Sequence, residues 1–244
     1  MKKSRLDKLL ISVGLAQSRE RAKAMIMTGN VLVDRLPVDK PGALVSPDAH
    51  IEFKGQEIPY VSRGGLKLEA ALHGFQFDVN GLDCIDIGAS TGGFTDCLLQ
   101  HGAKKVFAVD VGYGQLAWKL RQDPRVIVIE RSNIRHLPEN TLPSPVDLAT
   151  IDVSFISLRI VVPAALRFLK KSSVIFALVK PQFEVGKGMV GKGGIVRDPA
   201  QHEAIVEELT VFFNTLGLKC LNVMPSPILG TKGNTEFIML LVRN

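Results

Sequence analysis

Four charged residues, Lys67, Asp152, Lys180 and Glu236, stand beside apolar runs where solvent alone does not account for them. Lys180 closes SVIFALVK and is followed at once by Pro181, which cannot continue a strand ladder. A lysine at the end of a buried strand is rarely structural unless paired, since an uncompensated ammonium in the interior is costly. Asp152 holds the same kind of position in TIDVSF, Lys67 lies on the helical stretch SRGGLKLEAAL, and Glu236 opens the last apolar run in GNTEFIMLLV. Taken singly, Lys67 could be a surface lysine and Glu236 an edge-strand charge that discourages aggregation. Gathered in one crevice, two ammonium groups and two carboxylates could take a proton from a poor nucleophile such as a hydroxyl, or stabilise the oxygen anion left behind.

The elements that would gather them are legible as an alternation. Apolar strand-length runs lie at 84–87, 106–111, 126–130, 147–153 and 173–180, with helical stretches between them and a longer helix over 202–217. This rhythm predicts a mostly parallel sheet covered by helices on both faces. KCLNVMPS and TEFIMLLVR then follow as two consecutive strands, which allows an antiparallel hairpin at the sheet edge. In such sheets ligands bind beyond the carboxyl ends of the strands, where strand order reverses. The first strand runs into DIGASTGGFT, residues 86–95, which fits neither the dinucleotide fingerprint nor the phosphate loop: Ser90 stands where the former needs glycine, and no Lys-Ser or Lys-Thr follows. Asp110 ends the second strand, where an acid can accept from both hydroxyls of a ribose.

Residues 1–60 read differently. Leu6, Leu9, Leu10 and Val13 form one face of a short helix ended by Gly14; Ser18 offers an N-cap to a second helix that buries Ala22, Met25 and Ile26 and stops at Gly29 and Asn30. Short strands are expected at 31–34 and 50–53, and a linker at 54–60. Lys3, Arg5, Lys8, Arg19, Arg21 and Lys23 crowd into this segment of a chain with 30 Lys and Arg against 24 Asp and Glu, which points to a polyanionic partner such as a phosphate backbone. Three scattered cysteines argue against a disulfide framework or zinc centre, and a reducing cytoplasmic setting fits them best. There is no spanning-length apolar run, so no stable membrane insertion is expected, and no signal peptide is read at the start.

Residues 1–60 resemble the RNA-binding module of ribosomal protein S-four type (the alpha-L motif) in RLDKLL, SRERAKAMIMTGNVLVD and IEF. Taken from Asp86, the glycine stretch resembles motif one of class I S-adenosylmethionine methyltransferases, with Ser90 in place of its middle glycine. That likeness implies a cofactor cradle formed by Asp86, Gly88, Ala89, Ser90, Thr91, Gly92 and Gly93 with Asp110, Asp152 and Asn133. Lys67, Asp152, Lys180 and Glu236 match, in order and location, the Lys-Asp-Lys-Glu tetrad of FtsJ-like ribose 2'-O-methyltransferases. With VDVGYGQL, LVKPQFEVG and GGIVRDP added, nearly the whole chain resembles the TlyA family of ribosomal RNA 2'-O-methyltransferases, also labelled hemolysin A. The resemblance implies an α/β, Rossmann-like methyltransferase domain over 61–244, S-adenosyl-L-methionine as cofactor, cytidine of ribosomal RNA in ribosomal subunits or ribosomes as substrate, and no metal. Arg63, and Lys187, Lys192 and Arg197 of the glycine-rich stretch 184–199, are candidate phosphate contacts. Two alternatives belong to other classes: a membrane-active hemolysin and a non-catalytic ribosome-assembly factor.

Overall fold

The structure, a computed structural model, describes residues 3–16, 19–27, 29–54, 58–186, 190–191, 193–230 and 233–243. The chain forms two compact units, Met1–Ser62 and Arg63–Asn244.

In the first unit β1 (Ser4–Arg5) leads into α1 (Leu6–Ser12), α2 (Arg19–Met27), β2 (Val31–Val33), β3 (Leu36–Pro37), β4 (Leu44–Val45) and β5 (Ile51–Phe53). Leu6 and Leu10 of α1 pack with Ala22, Met25 and Ile26 of α2 and with Val31 and Val33 into one small core. Val13 is a correction to the expected apolar face: α1 ends at Ser12, and Val13 becomes the half-exposed residue after it, before Gly14 at φ +78°. β2 pairs antiparallel with β3 and β5, while β1 pairs with β4. Ser18, the expected cap of α2, lies outside the described residues.

The second unit begins with α3 (Gly64–Gly74) and continues β6 (Asp83–Ile87), α4 (Gly93–Gln100), β7 (Lys105–Val109), α5 (Trp118–Arg121), β8 (Val126–Ile129), β9 (Val146–Ile151), α6 (Leu158–Ala165), β10 (Leu169–Val179), α7 (Pro181–Glu184), α8 (Pro199–Thr215), β11 (Leu218–Pro225) and β12 (Phe237–Arg243). Its seven-stranded sheet has the order β11-β12-β10-β9-β6-β7-β8. The five strands from β10 to β8 run parallel, and β12 is antiparallel to both β10 and β11. The chain winds outward from β6 in one direction through β7 and β8, and in the other through β9 and β10. The order therefore reverses between β6 and β9, the crevice where a doubly wound sheet takes its ligand.

Helices on both faces explain why these strands read as near-continuous apolar runs. Ile85, Ile87, Val109, Ala149, Ile151, Ile175, Ala177 and Val179 are buried in one cluster with Val161, Val162, Leu209 and Phe213 of α6 and α8. β10 begins earlier than expected, at Leu169, with a register shift before Val174. α8 also starts early, at Pro199, because Asp198 caps it by accepting from the Ala200 N–H at 3.0 Å.

The fully buried Phe176 of β10 carries the segment after α3, with the Phe75 and Phe77 rings 6.0 and 5.3 Å from its own. Phe176→Ala is expected to cost about 3–5 kcal/mol, the range for emptying a buried phenylalanine site. Urea unfolding measures it, and a loss below about 1 kcal/mol would contradict this packing.

Candidate active site

The first turn of the sheet is built by close approach. Gly88 sits at φ +86° and donates its N–H to Val109 O at 2.9 Å, while Ala89 donates to the same oxygen at 3.1 Å. A side chain on Gly88 would overlap the Asp152 carbonyl, which is backbone and cannot swing away. Gly92, at φ +96°, precedes α4, and a Cβ there would meet Leu116 and Leu120. Thr91 accepts through its carbonyl from Ala117 N at 3.1 Å. Ser90, standing where the motif has glycine, does adopt glycine's conformation, at φ +50°. Left-handed backbone costs a side-chain-bearing residue about 1–2 kcal/mol. The Asp110 carboxylate offsets part of this by accepting from Ser90 N at 2.7 Å through one oxygen and from Gly112 N at 2.6 Å through the other. Each oxygen keeps a second lone pair, so Asp110 can brace the loop and still accept from ribose hydroxyls.

Asp86 departs from its expected role. Its side chain is fully buried beneath the loop, accepting from Thr95 Oγ1 at 2.6 Å and Thr150 Oγ1 at 3.0 Å. The carboxyl thus ties β6 to α4 and β9 and braces the glycine turn from below. Burial, opposed by the two hydroxyls, pushes its pKa up to about 6.

The four charged residues resolve into two ion pairs. Lys180 Nζ lies 2.5 Å from Asp152 Oδ1 and donates to Ser154 Oγ at 3.1 Å; Lys67 Nζ donates to Glu236 Oε2 at 2.5 Å. Lys67 and Lys180 are each 9% exposed and Glu236 only 3%, so both pairs stand largely out of water but reach the surface. Strand register puts the pairs side by side. Val179 faces Phe237 across β10 and β12, which sets Lys180 and Glu236 at the same rim, and Asp152 N bonds Ile87 O at 3.0 Å next to the Gly88 turn. Gly230 closes against Glu236 so tightly that a Cβ there would overlap its carboxylate.

Other expected residues fall less centrally. The turn at Asn133 is held against Asp110, whose carbonyl accepts from Ser132 N at 2.9 Å, but the Asn133 side chain accepts from Arg135 N and Nε. Arg63 is exposed at the start of α3, and Arg197 is exposed before α8. Lys187 and Lys192 lie outside the described residues, as does the Arg21 side chain. Lys3 and Lys8 are exposed and Lys23 half-buried. Arg5 and Arg19 are a partial correction: both guanidiniums grip the buried Asp7, at 2.9 and 3.0 Å, and hold its carboxyl well below the usual range against the pull of burial. Their side chains stay 41% and 46% exposed.

Two features escaped the sequence reading. Glu184 of PQFE is half-buried and accepts from Ser157 Oγ at 2.6 Å and Leu158 N at 2.8 Å, lacing the turn after Lys180 to the turn after Asp152; burial raises its carboxyl. Phe155 adopts φ +64° and is 90% exposed, its ring 5.1 Å from that of Phe183. A bulky side chain there is strained. The pair lines an open depression of about 570 Å³ with Arg135, Ile156, Ser157 and Ile160. An acid four residues past a strand-end lysine, and an aromatic three past a strand-end acid, were the available signals.

A doubly wound sheet with an antiparallel final strand, a glycine turn after its first strand and an acid after its second defines an S-adenosylmethionine-dependent methyltransferase. Residues 60–243 match the family model described as FtsJ-like methyltransferase, residues 4–51 match the S4 domain, and the chain belongs to the FtsJ-like methyltransferase family. It is 52% identical to a Bacillus subtilis protein named as a candidate rRNA methyltransferase, YqxC, over 98% of this chain and 86% of that one. It is 46% identical to the Mycobacterium tuberculosis 16S/23S rRNA (cytidine-2'-O)-methyltransferase TlyA, over 98% and 90%. The solved structure of a candidate hemolysin from Streptococcus thermophilus superposes with a TM-score of 0.80 at 45% identity, covering 100% of this chain and 90% of that one. The resemblance to the TlyA family, the fold class and the cofactor read from the sequence are borne out. Among the described residues, no helix is long and apolar enough to cross a membrane.

Two outcomes test the site's architecture. Gly88→Ala is expected to weaken S-adenosylmethionine binding at least tenfold, about 1.4 kcal/mol, whereas Ser90→Gly stays within a few-fold; equal losses in calorimetry would refute the close-approach account. For Asp86, a pKa raised from its ordinary 3.8 to about 6 means a contribution fully present below the ordinary value and lost as pH rises through 6, of the order of 3 kcal/mol. Between pH 4 and 7 the wild type should lose stability relative to Asp86→Asn in urea unfolding, and a gap independent of pH would be inconsistent with that shift.

Proposed function

We propose that this chain transfers the methyl group of S-adenosylmethionine to the 2'-hydroxyl of a cytidine ribose in ribosomal RNA, working on ribosomal subunits or intact ribosomes. The observation that carries this reading is the Lys180–Asp152 pair at the strand-order reversal, next to the glycine turn and backed by the Lys67–Glu236 pair. Family membership and the rRNA methyltransferase relatives support the same reaction and substrate class.

The glycine turn and Asp110 fit the donor, since a backbone without side chains and a carboxylate with spare lone pairs suit the amino-acid end and the ribose of a nucleoside. When bound, S-adenosylmethionine supplies a methyl group on a positively charged sulfur. What remains for the protein is to bring a 2'-oxygen into line and manage its proton. Lys180 Nζ has three N–H directions; Asp152 and Ser154 take two, and the third serves the substrate oxygen. As a neutral amine Lys180 turns its lone pair in that third direction and receives the proton; as an ammonium it turns an N–H there and meets the oxygen's growing negative charge. Asp152 fixes its direction, and Lys67, held by Glu236, adds a second positive group at the rim. The exposed Phe155 offers a face on which an unstacked base can lie, an interaction worth about 1–3 kcal/mol per base. The basic first unit, with Arg5 and Arg19 set by Asp7, serves the phosphate backbone, as do Arg63, Lys187, Lys192 and Arg197.

The test incubates unmodified ribosomal subunits, and separately intact ribosomes, with purified protein and radiolabelled S-adenosylmethionine. Incorporation that maps to a cytidine 2'-O-methyl is expected, and none in any of these substrates would overturn the reading. Lys180→Ala should lower turnover by at least about 10²-fold, within the range for a positioned proton-transfer group, while cofactor affinity changes little. Unchanged turnover would remove Lys180 from the reaction. Leakage of dye from lipid vesicles that survives in Lys180→Ala would speak for the hemolysin reading instead.

A further inference from the structure

We propose that Glu69, His73 and His101 form a binding site for a divalent transition-metal ion of the zinc type, on the face where α3 packs against the end of α4. Glu69 and His73 stand four residues apart on α3, so their side chains share one face a single turn apart. His101 follows α4 immediately and is brought to that face by the packing of the two helices. One ligand atom from each residue lies within 4.8 Å of the other two, before any ion draws them together.

The histidine chemistry favours a metal. His101 Nδ1 lies 2.9 Å from the Cys97 carbonyl oxygen, which can only accept; the proton therefore sits on Nδ1, and Nε2 carries the lone pair. This is how metal-ligating histidines are commonly held, the second ring nitrogen anchored to a carbonyl or carboxylate. The His73 ring stands edge-on to that of His101, with centroids 6.0 Å apart and planes at 76°. Two imidazoles and one carboxylate form the mixed nitrogen and oxygen set that zinc, cobalt and nickel accept in tetrahedral or open geometry, whereas calcium and magnesium prefer oxygen throughout. His73 is exposed, and Glu69 and His101 are half-buried, so an ion reaches the site from solvent and keeps a water as its fourth ligand.

The site lies outside the reacting cluster and takes no part in methyl transfer. Its consequence is mechanical, because it would clip the end of α3, the helix that carries Lys67 six residues before His73, to the end of α4, the helix that starts at the cofactor turn.

Cobalt titration of the full-length chain, stripped with a chelator, tests this. Saturable binding of one equivalent with visible d–d absorption is expected, displaced by zinc, with a melting temperature that rises with zinc. His73→Gln and His101→Gln should each weaken binding at least about tenfold, with circular dichroism and S-adenosylmethionine binding unchanged, while His136→Gln binds as the wild type does. No saturable binding, or binding equal in all three variants, would overturn the proposal. Should a variant misfold, zinc-dependent shifts of the histidine ring signals in the wild-type protein decide: movement of His73 and His101 supports the site, and movement confined to His50, His136 or His202 rejects it.

Discussion

The antiparallel register of β10 and β12, with Val179 facing Phe237, is the constraint on which the rest of the site depends. A strand's side chains alternate with period two, so a slip of one residue would turn the core-facing set of β12 to the opposite face and carry Glu236 away from the Lys180 rim. Several contacts hold the register. β12 lies between β10 and β11, pairs with both, and buries Ile238, Met239, Leu240 and Leu241. At the strand's start, Ser226 N bonds Glu236 O at 2.8 Å and Gly230 N bonds Asn234 O at 2.8 Å, so the approach to Glu236 is folded back on itself. Asn234 also accepts from Val196 N and donates to Gly194 O, fastening the segment before α8 to the same corner.

Charge is distributed around this rim by a consistent rule. Each ammonium that is nearly out of water has a carboxylate partner, as Lys67 with Glu236 and Lys180 with Asp152. Two of the carboxyls without a lysine or arginine partner, Asp86 and Glu184, accept from hydroxyls and backbone N–H groups and carry raised pKa values through burial. The first kind reaches the surface at the rim. The second kind joins elements: Asp86 links β6, α4 and β9, and Glu184 links the turns after β9 and β10. Asp152 adds to the upward shift of Asp86, so the two classes feel one another through the Gly88 turn.

Legibility followed length and periodicity. The long apolar runs of the sheet and the strand-end positions of Asp152 and Lys180 could be read because a buried parallel strand leaves a continuous apolar signature. β1, β3 and β4, of two residues each, are too short to show alternation, and Val13 kept its periodic place although the helix had already ended. The motif located the glycine turn after β6, but it counted Asp86 as a ligand contact because a sequence pattern does not say whether an acid points up into a cleft or down into a core. Arg5 and Arg19 were read as candidate phosphate contacts without their structural tie for the same reason: their shared partner, Asp7, is two residues from one and twelve from the other. The cluster of Glu69, His73 and His101 draws on two helices, and its last member is 28 positions beyond its second, a separation that carries no recognisable spacing.

Asp7 shows how such a hidden partner changes the meaning of surface charge. A fully buried carboxylate held by two guanidiniums is stabilising only while both remain, since a buried charge without its partner is costly. The arginines are consequently set in direction by their bonds to Asp7. Guanidinium groups set in this way lose less rotational freedom on meeting a phosphate than free lysines such as Lys3 and Lys8 would. Among the described basic residues of 1–24, the arginine pair is thus set in direction by a shared carboxylate, whereas Lys3 and Lys8 stand as exposed ammonium groups.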